Sequence, residues 1–204
     1  MNTKAQGILN GAKWVEETYG RDALCEVLRG CSPAVRECLA SAIAINWHPL
    51  DELVEFVTAA DRLLGRGDGK VAEEIGAAGA RANLKGVIAR MAFLLATPDY
   101  LMRRVAALYL QFNDQGEMLL TSLSPGVGEI ELRGRPKVYP IHCSIITGWA
   151  RAASVALGAA DPVVTHGSCI GRGLDRCTWT SRWTAVRQEG PGHRLPHPRK
   201  PVRP

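Results

Sequence analysis

The sequence lacks the long apolar run that a membrane-spanning helix requires. No stretch of its 204 residues approaches about 20 consecutive apolar positions. The N-terminal segment MNTKAQGILNGAK also lacks the apolar core of a secretory signal. These absences predict a cytoplasmic protein with no membrane span. Aromatic residues are scarce at 6%, but a hydrophobic content of 46% is ordinary, so the chain can bury the core of one domain.

Common catalytic motifs are missing as well. The sequence contains no HExxH, no GxSxG and no GxGxxG that follows a strand. The stretch GRGDGK at residues 65–70 lacks the spacer and the Ser or Thr of a phosphate-binding loop. We therefore expect a noncatalytic protein. A small biosynthetic enzyme of the cyclase or isomerase type is an alternative, with candidate polar residues Asp61, Arg81, Asn83, Tyr109 and His142.

Acidic residues are scarce at the C-terminal end, where most of the net charge of +5 lies. Residues 184–204 hold five Lys or Arg side chains against Glu189, a local charge of +4 that leaves the rest of the chain nearly neutral. The pattern predicts one domain over residues 1–183 and a basic, Pro-rich, disordered tail over residues 184–204. Because the folded part is nearly neutral, we do not expect a nucleic-acid partner.

The order of apolar patterns predicts an α+β fold. Residues up to 113 have helical periodicity, with Pro33, Pro49 and Pro98 at helix starts. One helical segment covers residues 70–95, where small residues such as Gly76 and Gly79 would let another helix approach closely, and one helix is expected from Thr97 to about Phe112. Residues 118–123, 129–133, 162–166 and 177–183 have the composition of strands, and a helix begins at Pro140 between the second and third of them. We expect N-terminal helices packed on an antiparallel sheet of about four strands.

Three of the six cysteines and two of the five histidines lie between residues 142 and 177. Without an export signal, six cysteines favour reduced thiols and metal ligation over disulfides. Thiolate and neutral imidazole are the donors that a tetrahedral zinc ion prefers, and three Cys with one His complete its shell. The pattern predicts a structural zinc site at Cys143, His166, Cys169 and Cys177.

Alternatives to this site remain open at the level of sequence. His142 competes with His166 as the imidazole ligand, although it points about 100° away from Cys143 on a helix. Small buried thiols also pack as hydrophobic residues without any metal. A nucleophilic pair of Cys143 with a histidine is a third reading, but no base with an orienting partner can be recognised. For Cys38 in the helical half, core packing is the better account.

The segment THGSCIGRGLDRC, preceded by a cysteine-bearing helix, resembles the four-vinyl reductase domain family. In the zinc-binding sensor branch of that family the ligands are similar, which implies Cys143, Cys169 and Cys177 as thiolate ligands. His166 occupies the position of a family glutamate. NLKGV (83–87) and TPDYLMRR (97–104) also resemble a family of similar size that is numerous in myxobacteria.

The broader superfamily joins nitric-oxide signalling with Golgi transport and includes vesicle-tethering (TRAPP) subunits and heme-based sensors. The resemblance implies a homodimer and a cavity for a small apolar or aromatic ligand. The Tyr-x-Ser-x-Arg heme motif is absent, so heme is not implied. We expect Trp149, Asn83 and Tyr109 to bind the ligand. A protein-interaction scaffold is an alternative function, because fold does not determine function.

Overall fold

The computed structural model describes residues 1–84 and 97–185. Nearly all of the predicted tail and the second half of the helical segment predicted for residues 70–95 lie outside the described residues. The described helices are α1 (Gln6–Tyr19), α2 (Arg21–Arg29), α3 (Pro33–Ser41), α4 (Leu50–Leu64), α5 (Lys70–Asn83), α6 (Pro98–Arg103), α7 (Val105–Phe112) and α8 (Pro140–Ala156). Within these ranges no helix has both the length and the apolar character needed to cross a bilayer.

Six strands form two antiparallel sheets in the described residues. A short pair joins β1 (Asn2–Lys4) to β2 (Trp47–Pro49). The main sheet has the order β3-β4-β6-β5 and is built from β3 (Glu117–Ser124), β4 (Val127–Arg133), β5 (Ala159–His166) and β6 (Cys177–Ala185). Its register places Trp179 of β6 between Ile130 of β4 and His166 of β5. This register brings the end of β5 close to the start of β6.

The predicted α+β class and the four-stranded antiparallel sheet are confirmed. Three details differ from the prediction. The single helix expected over residues 97–112 is interrupted at Arg104, whose backbone leaves helical geometry at ψ 2°. The last strand continues to Ala185, two residues into the segment assigned to the tail. The small β1–β2 sheet was not predicted, since three-residue strands carry too little pattern to recognise.

Close packing of α5 against α8 connects the helical half of the molecule with the sheet. A Cβ atom on Gly76 would overlap the backbone carbonyl of Ile145, and one on Gly148 would overlap that of Glu73. Arg151 on α8 bonds both Glu73 and Glu74 on α5. The two glycines therefore allow the backbones to approach, as small residues do at close helix crossings. This contact fixes where the first turn of α8 meets the sheet.

Candidate functional site

The four predicted metal ligands come together at the junction of α8 with the β5–β6 hairpin. Cys143 lies in the first turn of α8, His166 ends β5, Cys169 lies in the connection, and Cys177 begins β6. One donor atom from each residue lies within 4.8 Å of the others. The three sulfurs are fully buried. Cys143, His166, Cys169 and Cys177, which span 34 positions of the sequence, thus form one compact cluster that we call the thiol cluster.

Distances in the thiol cluster match tetrahedral coordination. The Cys177 sulfur lies 3.8 Å from that of Cys143 and 3.9 Å from that of Cys169. A tetrahedral ion with metal–sulfur bonds of about 2.3 Å separates its sulfur ligands by about 3.8 Å. Nε2 of His166 is buried and has no hydrogen-bond partner among the described residues. A buried imidazole nitrogen without a partner is costly, and a metal ion would satisfy it.

Neighbouring groups hold the thiol cluster in this arrangement. The rings of His166 and Trp179 stack at 4.8 Å between centroids. Trp179 donates from Nε1 to Oγ1 of Thr147 across 3.0 Å, and this hydroxyl donates to the carbonyl of Cys143. The N–H of Ile170 lies 3.3 Å from the Cys177 sulfur. Such outer contacts orient the ligands of protein metal sites.

Electrostatics favour a thiolate on one of the sulfurs. Hydrogen bonding from the Cys143 thiol, helped by the neighbouring His166 ring and the Ile170 N–H, lowers the pKa of Cys177 to about 4. The same hydrogen bond, together with burial, raises the pKa of Cys143. Of these two hydrogen-bonded thiols, Cys177 is therefore the one that ionises more readily.

His142 does not belong to the thiol cluster. Its Nδ1 accepts a hydrogen bond from Nη1 of Arg135 at 3.0 Å, and its ring lines a neighbouring cavity. Burial and the Arg135 charge lower the pKa of His142 to about 3, so the ring is neutral. The geometry thus brings His166, and not His142, to the three thiols.

An apolar cavity of about 160 Å³ lies between the helices and the inner face of the sheet. A more polar basin of about 410 Å³ adjoins it and shares Lys4, Gln6, Asn83 and Trp149 with its wall. No Asp or Glu lines either space among the residues described. The apolar wall consists mainly of Leu53, Ile75, Leu101, Met102, Val105, Leu108, Phe112, Met118, Ile130, Ile145, Ile146 and Trp149.

All three residues predicted to bind a ligand, Trp149, Asn83 and Tyr109, line this cavity. That they bind a ligand stays a prediction. The sequence did not indicate Arg135, which is buried against His142, because nothing in its local pattern distinguishes it from a surface arginine. Of the polar residues considered for an enzyme, Asp61 bonds the backbone at the start of α5 and Arg81 is exposed.

Comparison with solved structures finds H-NOX proteins with the same fold. An Fe(II) unliganded H-NOX protein from K. algicida has a TM-score of 0.67 at 7% identity, covering 90% of this chain and 98% of that one. A mutant H-NOX protein from S. oneidensis in the Fe(II) ligation state has a TM-score of 0.65 at 17% identity, covering 89% and 97%. No family model matches the sequence. No curated protein matches it either.

At these identities the likeness establishes the fold alone. The fold agrees with the one expected from the sequence, whereas membership of the broad superfamily, of the four-vinyl reductase family and of the myxobacterial family stays a prediction. The comparisons contradict zinc as the predicted cofactor, because the neighbours are described by their Fe(II) state and by heme distortion. The prediction had rested on donor types, which do not identify the cofactor that a fold carries.

The described residues of this chain do not fit heme. A cavity of about 150 Å³ holds one benzene molecule, so the 160 Å³ space by itself is far too small for a porphyrin. The described residues that line the adjoining 410 Å³ basin include no His, Cys, Tyr or Met that could bind the iron. Protein ligands to heme iron are His, Cys, Tyr, or Met beside a His. Arg135 can only donate, so Nδ1 of His142 must accept and the hydrogen lies on Nε2. Nε2 then has no lone pair to offer an iron ion.

Other candidate iron ligands fail as well. Tyr109 donates its hydroxyl hydrogen to the carbonyl of Gln115, and burial raises its pKa to about 12. It is therefore a phenol and not the phenolate that binds iron. Residues 85–96, outside the description, contain no His, Cys or Tyr in the sequence.

Proposed function

We propose that this chain is a noncatalytic module that binds a small apolar or aromatic molecule in the cavity. The observation that carries the proposal is the cavity itself, because a concave, mostly apolar space with a few polar groups is the usual form of a small-molecule site. Its wall is formed by side chains from six of the described helices and from the sheet. A ligand in that position contacts both halves of the fold, so binding can be sensed elsewhere on the molecule.

The polar groups of the cavity select the polarity of the ligand. Because Nδ1 of His142 accepts from Arg135, the ring presents Nε2–H as a donor. No carboxylate among the described residues faces the ligand to attract an amine. We propose that the ligand has an apolar body and a hydrogen-bond acceptor, such as a carbonyl oxygen, directed at His142.

Isothermal titration calorimetry tests the proposed function. Acetophenone offers an aromatic ring with a carbonyl acceptor, and α-methylstyrene has nearly the same shape without the acceptor. We expect both to bind and acetophenone to bind more tightly, because a net hydrogen bond contributes about 0.5–1.5 kcal/mol. Ala150→Leu, which fills the cavity, is expected to weaken both by about tenfold or more.

Val155→Leu is the matched control, since it adds a similar side chain on the exposed side of the same helix. If neither compound binds, or if Ala150→Leu leaves binding unchanged, the cavity is not the binding site. The scaffold alternative would then gain support, because it requires no cavity. The homodimer stays a prediction.

We also propose that the thiol cluster holds one metal ion that fixes the start of α8 to the hairpin. The spacing of the sulfurs and the unpartnered Nε2 of His166 support this proposal. Elemental analysis of the purified chain for all d-block metals is the test. We expect the wild type to hold one ion per chain more than Cys169→Ser, which lacks one ligand of the cluster. If the purified protein is folded but holds no metal, the four residues only pack in the core and the metal proposal is wrong.

A further inference from the structure

A second group of metal-binding side chains lies in the helical half, separate from both the cavity and the thiol cluster. Cys38 belongs to α3, His48 to β2, and Glu52 to the first turn of α4. One donor atom from each lies within 4.8 Å of the other two. The short β1–β2 sheet places His48 at the start of α4, so three separate segments converge here.

The geometry of this group suits coordination with an open position. Nδ1 of His48 and Oε2 of Glu52 are 3.2 Å apart. Two ligands held at about 2.0–2.2 Å from a tetrahedral ion are separated by about 3.3–3.6 Å, so small adjustments suffice. Cys38 is buried, whereas the side chains of His48 and Glu52 are 25% and 16% exposed. Solvent therefore reaches one side of the group.

Charge also favours a bound cation. Among the described residues Glu52 has no Lys or Arg partner, and its ion-pair neighbour is His48, which is charged only when protonated. Neighbouring carboxylates are already engaged: Asp51 by Lys137 and Glu55 by the N–H and hydroxyl of Ser32. A divalent ion with one thiolate and one carboxylate is electrically neutral, which limits the cost of partial burial.

We propose that Cys38, His48 and Glu52 bind one divalent d-block metal ion, with the remaining coordination position open to water or an added anion. Three protein ligands with an exchangeable fourth position distinguish a reactive metal site from a closed structural one. Burial and Glu52 raise the pKa of Cys38 to about 12, so the thiol is protonated without metal. Binding releases that proton to solvent as the metal–sulfur bond forms.

Cobalt(II) is the probe, because its visible absorption reports thiolate ligation. The reduced wild-type chain is titrated beside Cys38→Ser and the control Cys31→Ser, another buried thiol in the same half. We expect Cys38→Ser to bind one equivalent fewer than the wild type, and Cys31→Ser to bind the same number. Equal stoichiometry in the wild type and Cys38→Ser would overturn the proposal.

A second variant addresses misfolding of Cys38→Ser. The His48 side chain is partly exposed, so His48→Gln is expected to fold. The glutamine keeps an N–H donor for Glu52 at the start of α4, but the imidazole ligand is lost. We expect it to lose the same cobalt equivalent with an unchanged circular dichroism spectrum. Retention of that equivalent would show that His48 and Glu52 form an ordinary hydrogen bond. Because the comparison is between variants, the result does not depend on the thiol cluster.

Discussion

Arg135 donates from Nη1 to Nδ1 of His142 across 3.0 Å, and this bond decides which nitrogen of the imidazole carries hydrogen. An arginine can only donate, so the neutral ring keeps its hydrogen on Nε2. Arg135 is buried and has no carboxylate partner among the described residues, and its Nη2 has no hydrogen-bond partner there. The pair therefore fixes one hydrogen-bond donor, Nε2–H of His142, in the cavity wall, which also holds polar residues such as Asn10 and Asn83.

Arg135→Met tests this relationship. The substitution removes the donor but keeps most of the side-chain volume, so His142 is free to adopt either tautomer. We expect the preference for acetophenone over α-methylstyrene to fall toward equality, because the hydrogen bond worth about 0.5–1.5 kcal/mol is no longer enforced. Calorimetric titration measures the two affinities. Arg133→Met, at a position with an exposed side chain, is the control and should preserve the preference.

Thr147→Val tests the contact between α8 and β6. Valine has the same shape but leaves the buried Nε1–H of Trp179 without its acceptor. We expect a loss of about 1–3 kcal/mol in the free energy of unfolding, the cost of one buried unsatisfied donor. Urea denaturation measures it. Thr121→Val removes an exposed hydroxyl on β3, and a loss of equal size there would argue against a special role for the Trp179 bond.

Gly148→Ala tests the crossing of α5 and α8. The new Cβ meets the backbone carbonyl of Glu73, which cannot move aside as a flexible side chain could. We expect a loss of about 3 kcal/mol in stability. Gly79→Ala on α5 is the control, because its Cβ meets Trp149 only at 3.9 Å. That change should stabilise the helix by about 0.5–1 kcal/mol. Similar melting temperatures for the two variants would contradict the close crossing.

Asp61→Asn tests a buried carboxylate that anchors the start of α5. Its two oxygens accept from the backbone N–H groups of Gly69 at 2.9 Å and Val71 at 3.0 Å. An amide has one acceptor oxygen, so one N–H loses its partner. We expect a loss of about 1–3 kcal/mol, measured by thermal unfolding, with no change in acetophenone affinity. A selective loss of ligand binding would instead place Asp61 in the binding function.

The sequence was sufficient to predict the elements that have strong local patterns. The alternation of apolar and polar residues at 129–133 predicted a strand. The spacing His166-x2-Cys169-x7-Cys177 predicted that these residues lie close together, because a hairpin brings the ends of its strands together. Small residues on α5 indicated a close helix contact, and Gly76 lies at that contact.

Other features depend on distant parts of the chain and have no local pattern. Arg135 and His142 meet because the segment after β4 folds back on α8, and nothing in RGRPKVYPIHC distinguishes this from a surface arginine. The sequence prediction assigned Cys38 to core packing and did not consider His48 or Glu52, because the three residues lie in three elements with no common ligand spacing. The zinc prediction failed for a related reason, since donor types do not reveal what a fold carries.

The most direct test of ligand binding in the cavity is to map which residues a bound ligand contacts. Acetophenone is titrated into the ¹⁵N-labelled chain, and amide and indole chemical shifts are followed by heteronuclear NMR. We expect the largest shifts at residues that line the cavity, such as Gly79, Met118, Ile146 and the Trp149 indole. An absence of shifts up to the solubility limit, or shifts confined to exposed residues such as Ile43 and Leu174, would contradict the proposal.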